Sequence, residues 1–217
     1  MTIHRGPSQC MTPIANKPSN PLWTPSTVTH DGGATTNRDA TVRISDTALI
    51  PRTSSVRCVE ARARALQGWR SDLVLERLRT QRYVAPGAHY GHHFDWSANA
   101  GGWGRVSSFM GWVRASHDLR GGSTEFPLLR AQLDRRWCRF VECADQTAGN
   151  GSAVDDGVAS GERVGVVFRP VPGNAVFWEN FRPDGSGDGF DETWHAGLPV
   201  TQGEKVGLNI WSWGRID

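Results

Sequence analysis

Long apolar runs are missing from this chain of 217 residues. No stretch approaches the roughly 20 residues that a membrane-spanning helix requires, and the first residues lack the basic, then apolar, then small-residue order of a secretory signal. A soluble chain with no membrane segment is therefore expected. Charge of one sign is not gathered anywhere: 24 Lys and Arg against 22 Asp and Glu leave a net +2 spread along the sequence. That predicts neither a nucleic-acid footprint nor a basic membrane patch. Cysteine is confined to Cys10, Cys58, Cys138 and Cys143, with no Cys-x-x-Cys pair, so neither a structural zinc nor a disulfide framework is expected. Tyrosine is scarce too, two against ten tryptophans and eight phenylalanines. Most of the tryptophans fall between Trp96 and Trp213, where they can fill a barrel or line a pocket.

The length suits one domain with a real core and is too short for two of comfortable size. Residues 1–50 are rich in Pro, Thr, Ser and Asn without apolar periodicity and read as an extended, partly disordered lead-in to a domain over 51–217. Val56, Val59, Ala63 and Leu66 follow helical spacing, with Ser54 or Ser55 placed to cap the first turn. A second apolar series at Leu73, Leu75 and Leu78, continuing toward Tyr83, reads as a further helix. After Tyr83 the texture changes to short segments rich in Val, Phe, Trp and Ile, punctuated by Gly, Asp, Asn and Pro. Strands are expected at Tyr90 to Asp95, Arg105 to Ala115, Trp137 to Glu142, Arg163 to Arg169, Ala175 to Glu179 and Lys205 to Trp213. Flexible segments are expected at Ser97 to Gly104, Ala144 to Glu162 and Arg182 to Glu192. The first of these reads as a lid carrying Trp96 and Trp103, or else as a passive hairpin. Helices followed by many short strands give a fold that is mainly β with supporting helices, a jelly roll.

Chemistry concentrates in two places. In His89-Tyr-Gly-His-His-Phe-Asp95, residues two apart on a strand share a face, so His93 and Asp95 can bind one metal while His92 points away. Glu192-Thr-Trp-His-Ala-Gly197 offers a third ligand in His195. Two histidines and one carboxylate, with open positions beside them, are the arrangement of non-haem iron oxygenases. In Lys205-Val-Gly-Leu-Asn-Ile-Trp211, period two puts Lys205, Gly207, Asn209 and Trp211 on one face and Val206, Leu208 and Ile210 on the other. If the polar face looks into the barrel, Lys205 is a buried ammonium that needs an anion, with Gly207 leaving space beside it. The alternative is an exposed lysine on an edge strand.

Together these segments resemble a prolyl 4-hydroxylase catalytic domain, from about Arg52 to Trp213. The ordered motifs are Arg52-Thr-Ser-Ser55, Glu76 to Tyr83, Tyr90-x-x-His93-x-Asp95, Arg105 leading to Gly121-Gly-Ser-Thr-Glu-Phe-Pro127, Pro172 to Asn180, and His195-Ala-Gly-Leu-Pro-Val200 followed by Lys205, Asn209 and Trp211. The Gly173 to Asn180 and His195 to Val200 segments resemble the fungal branch of the family. The resemblance implies a double-stranded β-helix, Fe(II), 2-oxoglutarate and O2 as cosubstrates, ascorbate as reductant, and release of succinate and CO2. It implies that His93, Asp95 and His195 hold the metal and that Lys205 anchors the far carboxylate of 2-oxoglutarate. Tyr83, Thr124 and Trp211 match positions lining the cosubstrate or substrate pocket. An extra residue separates Tyr83 from Gly87 compared with the family pattern, which leaves Tyr90 as the alternative to Tyr83. Family substrates are proline-containing peptides or proteins, and relatives often work in the endoplasmic reticulum. A free amino acid or small metabolite is the alternative substrate. Two other readings are a zinc hydrolase built on His89 and His93, which share a helical face but lack the Glu of His-Glu-x-x-His, and a non-catalytic jelly-roll binding module.

Overall fold

The computed structural model describes residues 2–5, 22–30, 35–96, 101–143 and 162–216. Sixteen strands lie among the described residues, in chain order β1 (Thr2–Arg5), β2 (Thr24–Pro25), β3 (Val28–His30), β4 (Thr35–Asn37), β5 (Arg43–Ile44), β6 (Asp46–Leu49), β7 (Val74–Leu75), β8 (Arg79–Val84), β9 (Ala88–His93), β10 (Trp103–Ala115), β11 (Arg120–Gly121), β12 (Thr124–Gln132), β13 (Glu162–Phe168), β14 (Asn174–Glu179), β15 (His195–Gln202) and β16 (Glu204–Arg215). One α-helix, α1 (Ser54–Leu66), accompanies them. The larger sheet runs β1-β14-β10-β16-β8-β6-β2, with β7 also on β16, and the smaller runs β13-β12-β15-β9-β5, with β11 also on β15. The expected jelly roll is what forms.

Alternation along β10 and β16 builds two cores on the two sides of the larger sheet. Phe109, Val113, Val206, Leu208 and Ile210 meet Val56, Val59 and Ala63 of α1 on the outer side. Met110, Trp112, Val176 and Trp178 meet Phe126, Val166 and Phe168 of the smaller sheet on the inner side. The face assignment expected for Lys205 to Trp211 is therefore correct, and the polar face looks between the sheets. Gly207 serves Met110 rather than Lys205, since a Cβ there would sit 2.5 Å from Met110 Cε.

Several expectations need correcting. Helix α1 is capped by Thr53, whose hydroxyl accepts from Val56 N at 3.4 Å, and not by Ser54 or Ser55. The helix ends at Gly68 and Trp69, both with left-handed backbone (φ 70° and 57°). Beyond them the Leu73, Leu75 and Leu78 series is not a second helix. Pairing of β7 and β8 with the long strand β16 satisfies the backbone there, and a three-leucine pattern is too short to oppose it. Trp137 to Glu142 is not a strand. Arg135–Arg139 forms a 3₁₀ turn whose first N–H groups are met by Asp134, with Arg136 N donating to its carboxylate at 2.8 Å, and side chains of this kind compete with ladder pairing. Cys138 and Cys143, the only cysteines close in sequence, are joined by a disulfide, Cα–Cα 5.5 Å, a pairing the sequence left open. Strands β8, β12 and β15 were not foreseen. Both β12 and β15 contain a proline, which ordinarily argues against a strand, and both shift register near it. Residues 43–49 fall inside the expected lead-in, yet β5 pairs with β9 and β6 with β8. Residues 97–100, half of Ser97 to Gly104, and nearly all of Ala144 to Glu162 lie outside the described residues, so the expected lid is described only in part.

Candidate active site

Strand β9 ends at His93, and Asp95 lies two residues past it in a bend. Simple alternation therefore does not place both side chains. His93 pairs with His195 across to β15, while Tyr90 pairs with Gly197, so three steps on β9 oppose two on β15. This extra residue turns Tyr90 and His93 to the same side despite their odd spacing, and their rings stack at 3.7 Å. His92 faces the other way as expected, with Nε2 2.9 Å from Glu125 Oε2.

The structure brings His93, Asp95 and His195 together, with one potential ligand atom from each within 4.8 Å of the others. His93 Nδ1–H donates to Gly91 O and His195 Nδ1–H to Thr193 O, each at 2.8 Å. A carbonyl only accepts, so both rings carry their proton on Nδ1 and leave the Nε2 lone pair for a metal. Phe126 stacks on the His195 ring at 5.1 Å and Trp178 meets it edge-on at 5.0 Å. Burial, reinforced by the charge of His195, pushes His93 well below the usual imidazole range and keeps it neutral. Burial pulls Asp95 upward, but His195, His93 and Arg105 outweigh it and hold the carboxyl below its usual range. Two imidazoles beside an ionised carboxylate are the donor set of a divalent iron site.

Asp95 is fixed from behind by residues remote in sequence. Trp211 Nε1 donates to Asp95 Oδ2 at 3.0 Å. Arg105 donates to the Asp95 carbonyl at 2.8 Å, lies 4.0 Å over the Trp211 ring and pairs with Glu76 at 2.8 Å. Trp211 thus supports a ligand. Arg105 stands among the motifs of the sequence without this role; four strands, β11 to β14, separate it from His195 in the chain.

The second end of the pocket is built on Lys205, which is 1% exposed. Its ammonium donates to Gly122 O and lies 4.7 Å over the Tyr83 ring. Gly122 must be glycine here, because its φ is +74° and a Cβ would stand 3.2 Å from Lys205 Cδ. Burial alone pushes the ammonium down to about 7, and no carboxylate among the described residues offsets it. A Cβ on Gly197, two residues after His195, would lie 3.9 Å from Lys205 Nζ and 3.7 Å from Tyr90. The lysine and the His–Asp cluster therefore border one space. Thr124, paired with Gly197, has its hydroxyl buried there without a partner. Tyr83 is buried and spends its hydroxyl on Gln81 at 2.8 Å, while Tyr90 lies beside His93. A buried cation with no counter-charge and an orphaned hydroxyl fit a dicarboxylate.

A jelly roll with two histidines and a carboxylate at one end of its cavity defines a non-haem iron oxygenase. The family model for the 2OG-Fe(II) oxygenase superfamily matches residues 78–213, and the chain belongs to that superfamily. It is a 2-oxoglutarate-dependent dioxygenase. Among solved structures it is similar to the viral collagen prolyl hydroxylase of Paramecium Bursaria Chlorella virus-1 in its 2OG complex, at 21% identity, 80% of each chain covered and TM-score 0.54. It is similar also to a Pseudomonas putida prolyl-4-hydroxylase, at 18% identity over 99% of this chain and 92% of that one, TM-score 0.58. A third similarity is to a prolyl hydroxylase from Trichoplax adhaerens in complex with a hypoxia inducible factor peptide fragment, at 11% identity over 95% and 76% of the two chains, TM-score 0.51. None of the curated protein sequences compared with the chain matches it.

Proposed function

We propose that this dioxygenase hydroxylates a prolyl residue of a peptide or protein, with His93, Asp95 and His195 holding Fe(II) and Lys205 holding the far carboxylate of 2-oxoglutarate. The observation that carries the cosubstrate assignment is Lys205, a buried ammonium with no acidic neighbour facing the same space as the three ligands. Bound iron supplies the activation of O2 that couples decarboxylation of 2-oxoglutarate to substrate hydroxylation. The chain's own residues orient and exclude. Phe126 and Trp178 fix the His195 ring, Trp211 and Arg105 fix Asp95, and Thr124 offers its hydroxyl to the cosubstrate. Ascorbate serves as reductant. Strands β5 and β6 belong to the catalytic unit together with residues 51–217.

The peptidyl-proline substrate is supported by the likeness to prolyl hydroxylases, among them the viral collagen prolyl hydroxylase and the Pseudomonas putida prolyl-4-hydroxylase, at TM-scores of 0.54 and 0.58. A proline-rich peptide panel and a metabolite extract, incubated with Fe(II), 2-oxoglutarate and ascorbate, should show by mass spectrometry a gain of one oxygen on prolyl peptides. A gain confined to a free amino acid or metabolite would overturn the peptide substrate while leaving the dioxygenase in place.

A further inference from the structure

Beyond the pair His93–His195 the two ligand-bearing segments leave the sheet. Asp95 stands in a bend after β9, and His195 follows the 3₁₀ turn Asp191–Thr193. No ladder pairing among the described residues therefore sets the Asp95 carboxylate against the His195 ring, and side chains take over that task. The residues on either side of Asp95 reach the residues just before His195. Phe94 packs on Trp194 with ring centroids 4.7 Å apart. Trp96 Nε1 donates to Thr193 Oγ1 at 3.0 Å, and that hydroxyl donates to Phe190 O at 2.6 Å. Thr193 O is also the acceptor that orients the His195 ring, so one residue holds both Trp96 and His195.

The indole has a built seat. A Cβ on Gly189 would stand 2.5 Å from Trp96 Cη2 and closer still to Cζ2 and Cε2, so nothing larger than glycine fits against the ring. Gly189 has no left-handed backbone; the ring, and no conformational demand, asks for glycine there. The seat is itself tied down, with Phe190 N donating to Asn180 O at 2.9 Å and Arg182 N to Asp188 O at 2.8 Å. Phe181 packs on the indole at 5.7 Å. The stretch Arg182 to Glu192, expected to be flexible, is thus used to hold Trp96.

We infer that Trp96 is a positioning residue of the metal site: seated on Gly189 and bonded to Thr193, it sets Asp95 at the separation from His195 that lets both reach one ion. It acts through the backbone of its neighbour Asp95. Trp211 and Arg105 hold Asp95 from the side of the larger sheet, and Trp96 holds it from the side of His195. A carboxylate on an unsupported bend would have to be ordered at each binding event, and support from behind removes that cost. The inference rests on the assignment of His93, Asp95 and His195 as ligands.

Calorimetric binding of Mn(II) to the full chain tests this without turnover. Trp96→Leu and Gly189→Ala should each raise Kd for Mn(II) about tenfold, the lower end of the loss seen when a group orienting a ligand is removed. The double variant should bind like Trp96→Leu, because the added methyl acts only through the indole; additive losses would overturn the inference. Binding of 2-oxoglutarate to the Mn(II)-saturated variants should match the parent, and a parallel loss would mean a general loosening of the pocket and overturn it. So would parent-like Mn(II) affinity in both variants with only the thermal midpoint lowered. Trp96 would then be a packing residue, while Asp95→Ala, still impaired, would leave the ligand assignment intact. Parent-like Mn(II) binding in Asp95→Ala would instead remove that assignment and the inference with it. Should Trp96→Leu lack a cooperative thermal transition, Thr193 decides. Thr193→Val should show the loss and Thr193→Ser, which keeps the hydroxyl, should restore parent affinity; equal affinity in the two overturns the inference.

Discussion

The two ends of the pocket are satisfied in opposite ways. At the His93–Asp95–His195 end the ionisable groups face one another, and each has a protein partner behind it: Gly91 O, Trp211 Nε1 and Thr193 O. At the other end Lys205 presents positive charge with no carboxylate to meet it among the described residues, and the hydroxyl of Thr124 is orphaned. The first end is prepared to hold a cation whether or not cosubstrate is present. The second is incomplete until an anion arrives. Burial acts on both, but at the first the neighbours compensate it and keep Asp95 ionised, whereas at the second it acts on Lys205 unopposed.

The largest effect should come from breaking the first end. Ala at His93, Asp95 or His195 should abolish turnover and metal binding, measured by anaerobic Fe(II) titration, whereas His92→Ala should keep both because His92 is spent on Glu125. Equal loss at His92 would mean that the strand register is misread. Next is the second end. Lys205→Ala should raise the apparent Michaelis constant for 2-oxoglutarate about tenfold or more, the loss of a charge-assisted hydrogen bond to a desolvated carboxylate. Metal affinity should change little, and Lys205→Arg should recover only part of the loss. If metal affinity fell in parallel, the two ends would not be separable.

A smaller effect belongs to the support behind Asp95. Trp211→Phe keeps a ring under Arg105 but removes the indole N–H, and should weaken metal binding about 10-fold, within the range seen when a group orienting a ligand is lost. Binding of 2-oxoglutarate to the metal-loaded form should be nearly unaffected. Smallest is a pH effect that sharpens the contrast in charge compensation. Lys205 has a folded pKa of about 7 against an ordinary 10.5. Between these values the unfolded chain binds more protons than the folded one, so this group's contribution makes the ligand-free protein more stable as pH rises through that window, with its full penalty present below 7. A carboxylate favours the ammonium, so 2-oxoglutarate binding near pH 8 should take up a fraction of a proton. Calorimetry in buffers of different ionisation enthalpy would show this uptake, and its absence in Lys205→Ala would assign it.

Much of the site was legible because its logic is local. The alternation from Lys205 to Trp211 expresses a property of neighbouring residues, and period two on β16 needs no knowledge of the partner strand, whereas His93 and Asp95 come together although Asp95 lies beyond the end of β9. The leucines at 73, 75 and 78 were misread for the complementary reason. Their state depends on β16, more than 130 residues away, which offers them a ladder that a short apolar pattern cannot specify.

What the sequence by itself determined, then, is the chemistry on offer: two imidazoles, a carboxylate and a lysine on the polar face of a strand. Only the tertiary structure decided how these are used. The extra residue on β9 aims Tyr90 and His93 to one side, a shift invisible in a pattern read two residues at a time. Trp211 holds Asp95 because β16 passes behind the bend that follows His93. Arg43 comes to the Tyr90 ring because Gly91 lets β5 lie close against β9. A buried charge acquires its meaning from what surrounds it, and those surroundings come from strands far apart in the chain.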